Sequence, residues 1–257
     1  MIIDTHLHYG KKVMFDLDFS LLISLMEAHG IDKGLISSIE CCEYRPDADE
    51  LLEDQKPQIE ANKELLEKIK GCGKDLYISF WCKPATEGNI DEVYSFIREN
   101  RHYVRGLKLH PFYSRLPLED ARYDPYIDIA EALDLPVSVH TANDSLSGPG
   151  QLLAMAKRFP RVNFIMVHMG LCSDNEEAIE CLGQADNLIG DTTWVHFDKV
   201  LKAVEICGPE KMIFGTDAPI DGARSYAFYE QLLRAYQDDP AKWEHVMYKN
   251  AARLFGI

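Results

Sequence analysis

Several features that would place a protein in a membrane or nucleic-acid-binding class are missing from this chain. Its 27 lysines and arginines are outnumbered by 42 aspartates and glutamates, which gives a formal net charge of −15. Such a surface repels nucleic-acid phosphate and anionic membranes. No apolar run approaches the roughly 20 residues of a membrane-spanning helix. The amino terminus also has no basic region followed by an apolar one. These absences disfavour nucleic acid and membranes as partners.

The cysteines form no pattern typical of a disulfide framework or a thiolate metal site. There are 7, an odd number, and no two of them are separated by two residues. A secreted disulfide scaffold and a structural zinc held by four thiolates are therefore both disfavoured. We expect a reduced, cytoplasmic protein.

Short runs rich in Val, Ile and Phe alternate with amphipathic stretches along the whole chain. Eight runs are predicted strands, at 1–8, 33–39, 76–82, 104–110, 135–141, 162–170, 187–193 and 212–219. Predicted helices lie at 19–30, 58–73, 90–100, 126–134, 150–159, 176–185 and 197–208, with a final helical region from 225 to 255. This alternation predicts an α/β fold, a (β/α)8 TIM barrel with one domain over residues 1–257. A doubly wound open sheet is disfavoured because it often has fewer strands and no glycine-rich phosphate turn follows the first strand.

Ionisable side chains stand at the ends of several predicted strands, where TIM barrels carry their chemistry. They are His6 and His8 on the first strand, Lys108 and His110 on the fourth, His140 on the fifth, His168 on the sixth and Asp217 on the eighth. Alternation predicts that Asp4 shares a face with His6 and His8, Met166 with His168, and Gly215 with Asp217. A barrel strand has no structural need for a polar tip, so the shared position indicates one common site.

Imidazole nitrogen and carboxylate oxygen together suit a divalent metal ion, most often zinc. Three or four neutral histidines plus an aspartate, with a position open to water, would form a catalytic centre and not a closed structural one. The remaining histidines fit this site less well. We expect His29 near a helix end, His102 and His245 on the surface, and His196 in a loop.

The stretches IDTHLH, RGLKLHP, LPVSVHT, FIMVHMG, MIFGTDAP and NAARLFGI, spaced through the whole chain, resemble the amidohydrolase superfamily. The greatest similarity is to the amidohydrolase-related branch (amidohydrolase 2), which includes enzymes like aminocarboxymuconate-semialdehyde decarboxylase. The resemblance implies that His6, His8, His140 and Asp217 bind the metal, and that Asp217 and His168 are catalytic. Phosphoesterases of the polymerase-and-histidinol-phosphatase type also begin with HxH, but this chain has no second HxH.

The number of metal ions stays open at this stage. Lys108, His110 and His168 are candidates for a second metal or for substrate. In two-metal members of the superfamily the strand-four lysine is carboxylated and bridges the ions, whereas one ion is usual in the branch resembled here. We favour one ion and an unmodified Lys108. A homodimer is an expectation from the resemblance alone.

Three functions are compatible with this site. The leading hypothesis is hydrolysis of an amide, lactone or ester-like bond of a small molecule by metal-activated water. The alternative is non-oxidative decarboxylation of a small unsaturated or aromatic carboxylic acid. A non-catalytic metal-binding barrel predicts a lost ligand, and none is missing. Candidate substrate-binding residues, taken from loops that follow the strands, are Trp81, Lys83, Tyr113, Asn143 and Trp194, with Arg115 and Asp144 as further loop residues.

Overall fold

Strands of the computed structural model, which describes residues 1–257, form the wall of the predicted barrel. They are β1 (Ile3–Lys12), β2 (Phe15–Leu17), β3 (Lys33–Ser38), β4 (Asp75–Trp81), β5 (Val104–Leu109), β6 (Val137–Ala142), β7 (Phe164–Leu171), β8 (Leu188–Asp191) and β9 (Met212–Ile213). The order in the sheet is β2-β1-β3-β4-β5-β6-β7-β8-β9. All pairs are parallel except the β1–β2 hairpin. The backbone N–H of Thr5 donates to Phe214, and that of His8 donates to Ala218, both over 2.9 Å, so β1 closes onto the segment after β9.

Helices follow the strands and cover the outside of the barrel. They are α1 (Phe19–Ala28), α2 (Gln58–Lys70), α3 (Ile90–Glu99), α4 (Pro111–Ser114), α5 (Asp124–Ala132), α6 (Pro149–Arg158), α7 (Glu176–Leu182), α8 (Phe197–Cys207), α9 (Glu230–Asp238), α10 (Pro240–Glu244) and α11 (Asn250–Phe255). Asp18 caps α1 by accepting from the backbone N–H of Leu21, as its side chain favours at a helix start. No helix in the fold combines the length and apolarity that crossing a bilayer requires.

Apolar side chains of the strands divide between two clusters on opposite sides of the barrel wall. Leu7, Val139 and Phe214 pack with the helices in the larger cluster. Ile3 and Ile213 belong to a smaller cluster that includes side chains of α11. Because Ile3 begins β1, α11 covers the amino-terminal end of the barrel. The opposite, carboxyl-terminal end is left for the site.

Two expected side-chain directions are wrong because the strands are irregular there. The register of β1 against β3 shifts between Asp4 and Leu7, so Asp4 does not share a face with His6 and His8. Its carboxylate instead accepts hydrogen bonds from Thr216 and Tyr226. On β7, Met166 packs with the helices while Val167 joins the smaller cluster. The positive φ of 68° at His168 breaks the alternation, so His168 lines the cavity even though Met166 faces the helices.

The extent of two strands also differs from the sequence prediction. The hairpin strand β2 was not predicted, because its three residues, Phe15–Leu17, are too few to show a period. The run 212–219 contains only the short strand β9, and Asp217 has a positive φ of 69° that ends the extended conformation. All 7 cysteines are free.

Candidate metal centre

His6, His8 and Asp217 bring three acceptor atoms together at the carboxyl-terminal end of the barrel. Nε2 of His6 lies 3.0 Å from Nε2 of His8. Oδ1 of Asp217 lies 2.9 Å from Nε2 of His8 and 3.5 Å from Nε2 of His6. All three side chains are buried, and one ligand atom from each lies within 4.8 Å of the others. The backbone joins them directly, since the N–H of Asp217 donates to the carbonyl of His6 over 2.8 Å.

A hydrogen bond behind His6 fixes which of its nitrogens faces the centre. Oγ1 of Thr193 donates to Asp191 over 2.8 Å, so it accepts from Nδ1 of His6, which lies 3.0 Å away. Nδ1 of His6 therefore carries the proton, and its Nε2 presents a lone pair to the centre. Nδ1 of His8 lies 3.3 Å from the carbonyl oxygen of Ser37 and 3.2 Å from the Ser37 hydroxyl, which can donate or accept.

This donor set fits a divalent cation. Two imidazole nitrogens and a carboxylate oxygen lie close together here, an arrangement that a positive charge among them stabilises. Lys108 supplies part of that charge, because its Nζ lies 3.0 Å from Nε2 of His6. Nitrogen and oxygen ligands of this kind are those that zinc and related ions take in catalytic sites.

Burial keeps the imidazoles of His6, His140 and His168 neutral. It lowers the pKa of His6 and of His140 well below the usual range, and the charge of Lys108 lowers both further. The pKa of His168 falls to about 3, again chiefly through burial. Neutral imidazole is the form that binds metal.

The two charged side chains at the centre respond to burial in different ways. Burial lowers the pKa of Lys108 to about 8, although the carboxylate of Asp217 opposes the shift. Burial also acts to raise the pKa of Asp217, but the hydrogen bond from Nε2 of His8, 2.9 Å from Oδ1, opposes it, and that pKa lies well below its usual value. Asp217 is therefore a carboxylate.

The other predicted site histidines lie around the trio, in the same cavity. The ring centroid of His168 is 5.2 Å from that of His6 and 4.8 Å from that of His140. His110 stacks on His140 at 3.9 Å. His140 is outside the compact group of three ligand atoms. Its place as a ligand stays a prediction.

The cavity that contains the trio has a volume of about 380 Å³ and largely apolar walls. Of the candidate substrate-binding residues, Trp81, Tyr113, Asn143 and Asp144 line it. Its apolar lining also includes Phe15, Leu17, Ile39, Phe112, Leu171 and Ile220. The hairpin residue Lys12 lies at the cavity as well, with its ammonium 3.0 Å from the Asp54 carboxylate.

Three candidate substrate-binding residues lie elsewhere. The ammonium of Lys83 is buried against the carbonyl of Lys56 and the carboxylate of Glu87, which ties it to neighbouring loops and not to the cavity. Arg115 donates to the carbonyl of Arg45 on the outer side of its loop. Trp194 is not part of the cavity lining, but its Nε1 donates to Oδ2 of Asp217 over 2.9 Å.

Sequence reasoning missed the residues that stand behind the site. Asp191 ends β8, accepts from Thr193 and from the backbone N–H of His168, and lies 3.4 Å from Nδ1 of His6. The signal was present, because Asp191 follows the same rule of a polar residue at a strand end. No sequence signal marks Ser37, which contributes through its backbone carbonyl.

Comparison with known proteins places the chain in a family. The family model described as Amidohydrolase matches residues 49–257. No curated protein sequence matches the chain. The fold is similar to 5-carboxyvanillate decarboxylase from Sphingomonas paucimobilis, with 16% identity, 100% of this chain and 99% of that chain covered, and a TM-score of 0.73.

Two further solved structures are similar over the whole barrel. An amidohydrolase from Burkholderia multivorans with bound zinc shares 13% identity over 100% of this chain and 99% of that chain, with a TM-score of 0.70. A 5-carboxyvanillate decarboxylase from Novosphingobium aromaticivorans, complexed with manganese and 4-hydroxy-3-methoxy-5-nitrobenzoic acid, shares 13% identity over 100% and 96% of the two chains, with a TM-score of 0.69. At these identities the likeness shows the TIM-barrel fold. Since the family model matches most of its residues, the chain belongs to the amidohydrolase family, in the amidohydrolase 2 branch.

Proposed function

We propose that this protein is a metal-dependent decarboxylase of a small unsaturated or aromatic carboxylic acid. The observation that carries the proposal is the polar centre of His6, His8 and Asp217 in a cavity whose walls are largely apolar. A carboxylate that enters such a cavity loses its hydration. As the carbon–carbon bond breaks, the negative charge moves from the carboxyl group to the carbon, and carbon dioxide leaves as a neutral molecule. A water-poor cavity therefore favours this bond cleavage. The ligand bound to one structural neighbour, a substituted benzoic acid, agrees with this substrate class.

The metal would be held by His6, His8 and Asp217, with His140 as the fourth ligand. When bound, it supplies Lewis acidity that stabilises negative charge on a substrate oxygen. We propose one ion per chain, zinc by its donor set, with manganese as the alternative that a neighbour carries. Lys108, whose Nζ is 3.0 Å from His6, adds positive charge at the same place.

The reaction needs one proton on the carbon that loses its carboxyl group. The carbon–carbon bond breaks, its electron pair stays on the ring or alkene carbon, and carbon dioxide leaves. The carboxylate of Asp217 passes a proton from water to that carbon, the hydroxide that remains leaves to solvent, and Trp194 holds Oδ2. Nδ1 of His168 lies 3.4 Å from the carbonyl of Thr193, which leaves its other nitrogen to orient the substrate.

Hydrolysis is the second candidate, and the ionised state of Asp217 favours it. Asp217 is ionised, and its Oδ1 lies at the centre, 2.9 Å from Nε2 of His8, where a carboxylate can accept a proton from water. The same side chains would then serve an amide, lactone or ester-like carbonyl.

One experiment separates the two candidates. The zinc- or manganese-loaded protein is incubated in ²H₂O, and separately in H₂¹⁸O, with a panel of benzoic and unsaturated acids and of their lactones and amides. Decarboxylation predicts carbon dioxide release with one deuterium on the vacated carbon and no ¹⁸O in the organic product. Hydrolysis predicts ¹⁸O in the product and no carbon dioxide. Two ions per chain on elemental analysis would favour hydrolysis with a carboxylated Lys108.

A further inference from the structure

His110 is the middle ring of a stack of three rings at the cavity. Trp81, at the end of β4, lies 5.1 Å from His110 with an interplanar angle of 11°. His140, on β6, lies 3.9 Å from His110 on the other side, at 14°. Both faces of the His110 ring are therefore covered. Only the edge of this ring is free to contact a molecule in the cavity, which His110 lines.

The two nitrogens on that edge have different surroundings. Nδ1 is buried and has no hydrogen-bond partner. Nε2 also has no partner in the protein, yet it is not among the buried unpaired atoms, so it is the nitrogen at the accessible edge. A buried N–H without an acceptor is rarer in proteins than an unpaired acceptor. The proton of a neutral His110 ring therefore belongs on Nε2, and Nδ1 keeps its lone pair.

We propose that His110 presents its Nε2–H to the cavity as a hydrogen-bond donor for an acceptor oxygen of the substrate. The substrate class is then an acid that bears a carboxylate, phenolic or carbonyl oxygen beside the reacting group. The edge of a ring stack also carries partial positive charge, which suits an oxygen anion. This inference rests on the proposed function for the role of the bound acid, but the donor state of His110 is testable without turnover.

The first test is nitrogen NMR of the zinc-loaded full chain labelled with ¹⁵N in its histidine rings, with acetate as the simplest carboxylate probe. Comparison with His110→Gln assigns the His110 signals. A proton on Nε2, with a shift of that Nε2–H signal on addition of acetate, supports the proposal. A proton on Nδ1, or no response to acetate, overturns it. Absence of carbon dioxide release would count against the proposed function and leave this result intact.

The second test compares two variants by acetate affinity. Glutamine places an amide N–H near the position of Nε2, whereas His110→Leu removes the donor. We expect the acetate Kd to rise about tenfold in His110→Leu and less than about threefold in His110→Gln, as for loss of one hydrogen bond to a charged group. Equal weakening in both variants, at unchanged metal content, would assign His110 a packing role and overturn the donor proposal. An unchanged Kd in His110→Leu would overturn it too.

Discussion

Nε1 of Trp194 donates a 2.9 Å hydrogen bond to Oδ2 of Asp217. That bond fixes the carboxylate so that Oδ1 faces the imidazoles of His6 and His8. Trp194 has a positive φ of 57°, a backbone conformation that residues other than glycine adopt rarely. The loop after β8 therefore holds a strained backbone in order to place this indole. The hydrogen bond from Trp194 therefore sets the orientation of the Asp217 carboxylate at the site.

Replacement of Asp217 by asparagine should abolish turnover with the fold retained. The amide cannot take up and release the proton, and it is a weaker ligand, so we expect a rate loss of at least about 100-fold. Circular dichroism checks the fold, and Asp238→Asn on the exposed end of α9 is the matched control. An Asp217→Asn protein with wild-type turnover would remove Asp217 from the mechanism.

Replacement of Trp194 by phenylalanine should lower the rate of the metal-saturated protein. The ring is retained, but the donor to Oδ2 of Asp217 is gone, so the carboxylate rotates away from its productive orientation. We expect a decrease in kcat of about tenfold or more. Trp243→Phe, which shortens a buried indole far along the chain in α10, should affect stability and leave kcat unchanged. Equal kcat values for both variants would contradict the orienting role of Trp194.

Replacement of Thr193 by valine should weaken metal binding. Its Oγ1 links Nδ1 of His6 to the carboxylate of Asp191. Loss of such a group behind a metal ligand costs about 10- to 100-fold in affinity. Thr192→Val is the matched control, since the hydroxyl of Thr192 bonds only to the backbone of Gly215. Metal titration by calorimetry should show weaker binding in Thr193→Val alone; the same affinity in both variants would argue against this prediction.

Stability should depend on pH through Asp4. Burial raises the pKa of Asp4 from 3.8 to about 7, against the hydrogen bonds from Thr216, the backbone of His6, and Tyr226. Because the pKa is higher in the folded protein, protonated Asp4 favours folding. That contribution is complete below pH 3.8 and is lost as the pH rises through about 7.

Asp4→Asn cannot ionise, so its stability should fall less than that of the wild type over this range. A pKa shift of this size changes the free energy of unfolding by on the order of 4 kcal/mol. Urea unfolding of both proteins at several pH values measures the difference. Parallel pH profiles for the two proteins would show that Asp4 is ionised in the folded state throughout.

Sequence patterns were sufficient for the barrel and for the residues at its strand ends. His6, His8 and Asp217 were predicted together because a polar side chain at the end of a barrel strand has no packing role. The geometry that brings them within 4.8 Å depends on contacts far apart in sequence. Strict alternation failed at Asp4, where β1 shifts register, and at Met166, where the positive φ of the nearby His168 reverses the side-chain direction.

Loop residues were the least predictable part of the site. The sequence predicts that Lys83 binds substrate, but its ammonium forms an ion pair with Glu87 and donates to the backbone carbonyl of Lys56. Asp191 was overlooked, although it supports both His6 and His168. Side chains on loops take their partners from other loops, and a single sequence carries no record of which loops meet.

Metal content per chain tests the central claim most directly. The full chain is purified without a chelator or a histidine tag and examined by elemental analysis, beside His8→Ala with its fold checked by circular dichroism. We predict about one divalent ion per wild-type chain and a large loss in His8→Ala. A wild-type protein that is active with no stoichiometric ion, or a His8→Ala protein that keeps its full metal content, would contradict the account.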